Sequence, residues 1–296
     1  MSEISESIRK NFGDTDRKRD EGLKTPESVV RIDDIAYGSD PAWQVLDVYR
    51  PESAGGEKLP VIVSVHGGGW VYGTKENYQY YCMSLAERGF AVVNFSYRLA
   101  PEHKFPAALE DTCMVFSWVL AHAEKYGFDP ERIFAAGDSA GGHTLALFCA
   151  MCANPEYRKH FSFSPPAGFI PAAIALNCAV FKIQVSERPE DKFSTDLMSD
   201  YLEHKGSAEE LPFVNVPEWI TDKFPQTFLM TAEEDFLKYQ LPDVLLKMLE
   251  KNVAFTARYY KASKERLGHV FHLDIRNEYA KQCNDEECAY FLCRDN

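Results

Sequence analysis

Residues Leu59–Val65 are almost wholly apolar, with none of the alternation that marks a strand with one wet face. A short run of this kind is expected of a strand buried on both sides of a parallel sheet. Further strand-like pieces fall at 90–97, 132–136, 172–178, 226–232 and 254–261. Helical periodicity separates them, over 77–88, 106–126, 140–153, about 239–251 and about 275–292. Pro106 suits the first turn of its helix and Gly127 suits a left-handed cap at its end. Strand and helix thus take turns, which predicts an α/β fold with a mostly parallel central sheet and helices on both faces. Ahead of this rhythm, 29–37 and 43–49 read as an opening antiparallel pair, the second alternating Val45, Asp47 and Tyr49 against Leu46 and Val48.

Two segments break the pattern. Residues 182–222 are charged and aromatic in turn, with Phe193, Tyr201, Phe213 and Trp219, and fit no sheet strand. Residues 1–30 are strongly charged, with weak helical periodicity around Ile4, Ile8 and Phe12. We expect both to form a cap over the sheet, the first as an insertion and the second as an amphipathic helix or a mobile tail. The whole of 1–296 is expected to be a single domain, because single α/β domains often run to this length.

Composition narrows the partners. Against 45 acidic residues stand 32 basic ones, a net charge of −13 that repels nucleic acid and anionic lipid. No apolar run approaches the ~20 residues of a membrane span, and the first thirty residues carry no signal-peptide core. A cytoplasmic protein is expected. The eight cysteines lie in elements that look buried, so free thiols are expected. Cys149 and Cys152 share a helix face without a second pair to complete a zinc site, and Cys283, Cys288 and Cys293 point in different directions at five-residue spacing. No metal or cofactor is implied.

Candidate chemistry centres on Gly137-Asp138-Ser139-Ala140-Gly141-Gly142, where a buried strand turns sharply into a helix. Glycines two before and two after Ser139 let the backbones approach where a Cβ would clash, the layout of a nucleophile elbow. A serine hydroxyl needs a base and a group to orient that base. Asp235 follows one strand and His269 the next, so both should face the same sheet edge as Ser139. Glu233 and Glu234 share the loop of Asp235, but the spacing to Leu237 favours the aspartate; His272 competes with His269 and is the less favoured base. Most of the other histidines, among them His66, are expected to be structural or surface groups. The run His66-Gly67-Gly68-Gly69-Trp70 ends another central strand. Its amides, from Gly67 and Gly68, are expected to join the N–H of Ala140 as an oxyanion hole.

These runs, with Tyr97-Arg98-Leu99-Ala100-Pro101-Glu102-His103 and Phe105-Pro106-Ala107-Ala108 before Glu110-Asp111, resemble the hormone-sensitive-lipase-like branch of the α/β-hydrolase esterases. The resemblance covers roughly 40–290 and rests on four motifs in the family's order. It implies Ser139, Asp235 and His269 as a catalytic triad, Gly67, Gly68 and Ala140 as the oxyanion hole, and no cofactor. His269-Val270-Phe271 departs mildly from the usual His-Gly-Phe.

A serine carboxylesterase acting on short to medium acyl esters is therefore expected, with acetyl esters of sugars or other small alcohols among the candidates. Trp70 and Tyr72 are expected to line the substrate pocket. The alternatives are an amidase, formamidase or peptidase-like enzyme with the same triad, and a non-catalytic ligand-binding protein on a hydrolase scaffold. A homo-oligomer through an edge strand or the last helix is neither required nor excluded by the sequence.

Overall fold

The computed structural model describes residues 1–185 and 192–293. In β3 (Leu59–Val65), Val61, Val63 and Val65 enter one apolar cluster and Ile62 enters another, so one strand feeds a core on each side of the sheet. On the Ile62 side lie α2 (Lys75–Ala86), with Tyr78, Tyr81, Cys82 and Met83, and α10 (Glu278–Leu292), with Cys283, Cys288 and Phe291. On the other side lie α3 (Ala107–Ala121), α5 (Ser139–Ala153) and α9 (Leu241–Glu250), with Phe116, Phe148 and Met248. Each such side chain contributes ~1.5–3 kcal/mol by leaving water.

The remaining strands are β1 (Val29–Ala36), β2 (Val45–Pro51), β4 (Ala91–Phe95), β5 (Phe128–Asp138), β6 (Ile174–Asn177), β7 (Thr227–Ala232) and β8 (Phe255–Tyr260). They form one sheet in the order β1-β2-β4-β3-β5-β6-β7-β8. β1 and β2 pair antiparallel, as does β2 with β4, and every pairing from β4 through to β8 is parallel. This is the expected α/β-hydrolase sheet. Helix 106–126 differs from expectation: it breaks at His122, whose backbone leaves the helical region, giving α3 and the short α4 (Ala123–Tyr126). The ring Nδ1 of His122 lies 2.8 Å from the Trp118 carbonyl and stabilises the break, and Gly127 then caps α4 in the left-handed region.

The N-terminal segment forms α1 (Glu3–Asp20). Ser2 caps it by accepting the Ser5 N–H, and acidic residues in the first turn with basic ones in the last suit the helix dipole. After the short α6 (Pro155–Arg158) and β6, the interrupted region supplies α7 (Lys192–Tyr201) and α8 (Leu211–Val214). A third apolar cluster joins Ile8 of α1, Trp70, Val180, Ile183, and Leu197, Met198 and Tyr201 of α7 at the carboxyl edge of the sheet. The Phe193 side chain lies outside the described residues, while Phe213 and Trp219 pack around Tyr157 and His160. All eight cysteines are free thiols, and only Cys293 is exposed. Among the described residues no helix is long and apolar enough to cross a membrane.

Candidate active site

β5 runs into α5 through Ser139, which holds φ 50°, a left-handed conformation that costs a non-glycine residue on the order of 1–3 kcal/mol. The turn is tight. A Cβ on Gly141 would lie 2.1 Å from the Val65 carbonyl oxygen and 2.3 Å from that of His66, so only glycine lets α5 start this close to β3. The result lifts the Ser139 side chain out of the sheet edge.

His269 Nε2 lies 3.0 Å from Ser139 Oγ, and its Nδ1 lies 2.7 Å from Asp235 Oδ1. With the Nδ1 proton donated to the carboxylate, Nε2 is left to accept the serine proton. The loops that carry the acid and the histidine are joined by a one-residue parallel bridge between Glu234 and Gly268. Asp235 is buried, and its second oxygen accepts from Thr231 Oγ1 at 2.6 Å while Oδ1 also accepts the Leu237 N–H at 3.0 Å. Burial pushes its pKa up, but the hydrogen bonds from His269 and Thr231 outweigh it and the net shift is downward. The carboxylate therefore stays charged.

The rival residues are occupied elsewhere. Glu233 accepts the Ala262 N–H and Glu234 pairs with Arg266. His272 is fully enclosed, with its ring edge-on to Tyr81 at 5.2 Å, and burial lowers its pKa to about 3. It reaches neither Ser139 nor Asp235 through any hydrogen bond. His66 is likewise buried, stacked on Tyr97 at 4.0 Å, with a pKa lowered by burial to about 4.

The glycine loop corrects one expectation. The N–H of Gly67 donates to Tyr78 Oη at 2.9 Å, and Tyr78 in turn donates to Asp138 Oδ2 at 2.8 Å. An amide already spent this way is not a free oxyanion donor. Gly69 and Ala140 line the cavity above Ser139, and the Ala140 N–H is one of the first-turn amides of α5 that have no partner within the helix. Gly68, at φ 119°, sets the path of the loop: a Cβ there would lie 2.0 Å from the Tyr72 carbonyl oxygen. Burial pushes the Asp138 carboxyl up to about 7, against the pull of the Tyr78 hydrogen bond.

Above Ser139 and His269 lies a cavity of about 300 Å³. Ile8 and Phe12 of α1, Leu197 and Met198 of α7, and Trp70 and Phe236 give it largely apolar walls. Trp70, one of those walls, stacks on Tyr201 at 4.4 Å. Tyr72 is not among the lining residues. Its hydroxyl donates to Asp16 Oδ2 at 2.8 Å and accepts from Asn77 at 2.9 Å, so it ties α1 down instead of facing the cavity. A larger opening of about 420 Å³, edged by His160, Glu203 and Phe213, does not include Ser139.

Residues 62–273 match the family described by the alpha/beta hydrolase fold. The chain belongs to that family. Among curated relatives of this alpha/beta hydrolase, esterase LipC of Mycobacterium tuberculosis is 38% identical over 125 residues, 42% of this chain and 31% of LipC. Carboxylesterase NlhH of the same organism is 38% identical over 140 residues, 46% of this chain and 44% of NlhH. The matched stretch therefore spans less than half the length of these relatives. A solved structure of esterase B from Lactobacillus rhamnosis, inhibited by a C4-C4 SN3 tributyrin phosphonate, superposes with a TM-score of 0.86 at 25% identity, covering 98% of this chain and 96% of that one. The resemblance to the hormone-sensitive-lipase-like esterases is borne out.

Three residues of this alpha/beta hydrolase went unnoticed in its sequence. Thr231, inside β7, holds the acid; Tyr78, inside α2, holds the glycine loop; and Cys178, at the end of β6, has its sulfur within 4.8 Å of the Asp235 and His269 donor atoms. Among the described residues, Cys178, Asp235 and His269 are the group whose donor atoms lie close enough together to hold a metal ion. Both carboxylate oxygens and Nδ1 are already bonded to each other and to Thr231, and burial pushes the thiol pKa up, so a metal would have to displace those hydrogen bonds. Only the four-residue spacing of Thr231 and Asp235 across a strand end was visible in the sequence as a signal.

Proposed function

We propose that this protein is a serine carboxylesterase acting on short to medium acyl esters through an acyl-enzyme. One observation carries the reading: a Ser139, His269, Asp235 chain of 3.0 and 2.7 Å contacts that opens into an apolar cavity. Ser139 Oγ adds to the ester carbonyl as its proton passes to His269 Nε2. The oxyanion is met by the Ala140 N–H and by amides of the glycine loop from Gly68 and Gly69, each such donor being worth ~3–4 kcal/mol. Collapse expels the alkoxide, which takes the proton back from Nε2. Water, activated by the same imidazole, then releases the acid, and Asp235 holds the ring and balances its positive charge throughout.

A cavity of about 300 Å³ lies at the small end for ligand sites, which favours short acyl chains. The names of the relatives, and the tributyrin phosphonate in esterase B, point to carboxylic esters as well. A ladder of 4-nitrophenyl esters from acetate to dodecanoate tests the reading. The rate should peak at or below eight carbons, and fluorophosphonate should label Ser139. A rate still climbing at twelve carbons overturns the chain-length assignment, faster turnover of matched amides points to an amidase, and an unlabelled, inert protein points to a binding role.

A further inference from the structure

Phe236 follows Asp235 directly, yet its side chain turns away from the protein interior. It is 66% exposed, belongs to none of the three apolar clusters, and sets its ring against the His269 imidazole at 4.4 Å with a 43° tilt. A large aromatic held open to solvent against a catalytic base is poorly explained by packing. Phe12, 43% exposed on α1, lines the same cavity, steadied edge-on by Tyr72 at 6.0 Å.

The chemistry of the step says what should meet Phe236. His269 Nε2 returns its proton to the departing alkoxide, so that oxygen must lie within about 3 Å of Nε2. Whatever the alcohol carries must then pass beside the imidazole, where the Phe236 ring stands. Among the described polar groups of the rim, several are already engaged: Lys182 Nζ is paired with Asp243 at 2.6 Å, Gln240 Oε1 accepts the N–H groups of Phe181 and Lys182, and Ser194 Oγ donates to the Gln184 carbonyl.

Resting on the esterase reading, we propose that Phe236 selects the leaving group, and that the alcohol portion of the substrate is a flat, apolar one of the benzyl type, stacked on Phe236 with Phe12 facing it across the cavity. The acyl chain is recognised separately, by the walls around Trp70, Leu197 and Met198.

The test holds the acyl group at butyryl and varies the alcohol among ethyl, cyclohexylmethyl and benzyl, whose similar basicities leave recognition as the variable. The intact chain and its Phe236→Ala and Phe236→Tyr variants are compared by kcat/KM. An aromatic contact of this kind corresponds to roughly a tenfold preference. The benzyl-to-ethyl ratio should fall about tenfold in Phe236→Ala and return in Phe236→Tyr, while the acyl-length optimum stays put. An unmoved ratio, a shift of the acyl optimum instead, or wild-type preference for an acetylated sugar over benzyl acetate overturns the inference and leaves the esterase reading standing. Absence of all ester turnover and of fluorophosphonate labelling overturns both.

Discussion

Tyr78 Oη accepts the Gly67 N–H at 2.9 Å and passes its own proton to Asp138 Oδ2 at 2.8 Å. One buried phenol thus ties the start of the glycine loop to the residue before Ser139. Tyr78→Phe should leave Gly67 and Asp138 unsatisfied, costing ~1–3 kcal/mol of stability, and should loosen the loop that carries Gly68 and Gly69. We expect kcat to fall on the order of tenfold with KM little changed, because a misaligned donor weakens the transition state more than substrate binding. Equal kcat in the variant and wild type would show that the loop holds its shape without this tether.

Ser139→Ala should lower kcat by roughly 10⁴-fold or more and abolish phosphonate labelling, and Asp235→Asn should lower kcat by about 10⁴-fold through the wrong imidazole tautomer. Thr231→Val removes one carboxylate contact and should cost far less, about three- to tenfold. Rapid-quench and steady-state rates check the order Ser139, Asp235, Thr231. Thr231→Val matching the loss of Asp235→Asn would mean that the threonine does more than steady the acid.

Arg9 fastens α1 over the cavity. Its guanidinium donates to the Val71 carbonyl at 2.7 Å, to the Ala100 carbonyl at 3.0 Å, and to both carboxylate oxygens of Glu102. Arg9→Ala should release the helix that brings Ile8 and Phe12 to the site, raising KM several-fold for a butyryl ester and lowering stability by about 1–2 kcal/mol. Hydrogen exchange along residues 3–20 reads the same event, and unchanged protection there together with unchanged KM refutes the anchoring role.

Glu287 is wholly buried between Asn177 and Tyr81, and burial, opposed by their hydrogen bonds, pushes its pKa from 4.5 to about 7. Between those values the folded state holds a proton that the unfolded state has lost. Stability therefore falls as pH rises from about 4.5 to about 7, by roughly 3 kcal/mol from this group, and is flat above. Asp138 contributes a slope of the same sign. Glu287→Gln should flatten the dependence of Tm on pH across that window, and an undiminished slope rules out this account.

The strand runs and the glycine elbow were readable from the sequence because each is local, and the order of serine, acid and histidine because each follows a strand of its own. Burial on both faces writes a continuous apolar run such as Leu59–Val65, and at Gly141, where a Cβ would lie 2.1 Å from the Val65 carbonyl oxygen, no other residue fits. The carboxyl ends of the parallel strands β5, β7 and β8 lie along one sheet edge, which is why Ser139, Asp235 and His269 could be matched across 130 positions. What the sequence could not decide is where competing hydrogen bonds go. That the Gly67 amide is spent on Tyr78, and the Tyr72 hydroxyl on Asp16, depends on loop paths and rotamers set by contacts between elements distant in the chain. The same holds for the weakly amphipathic N-terminal segment: only packing against α7 and the capture of Arg9 turn it into a wall of the cavity above Ser139.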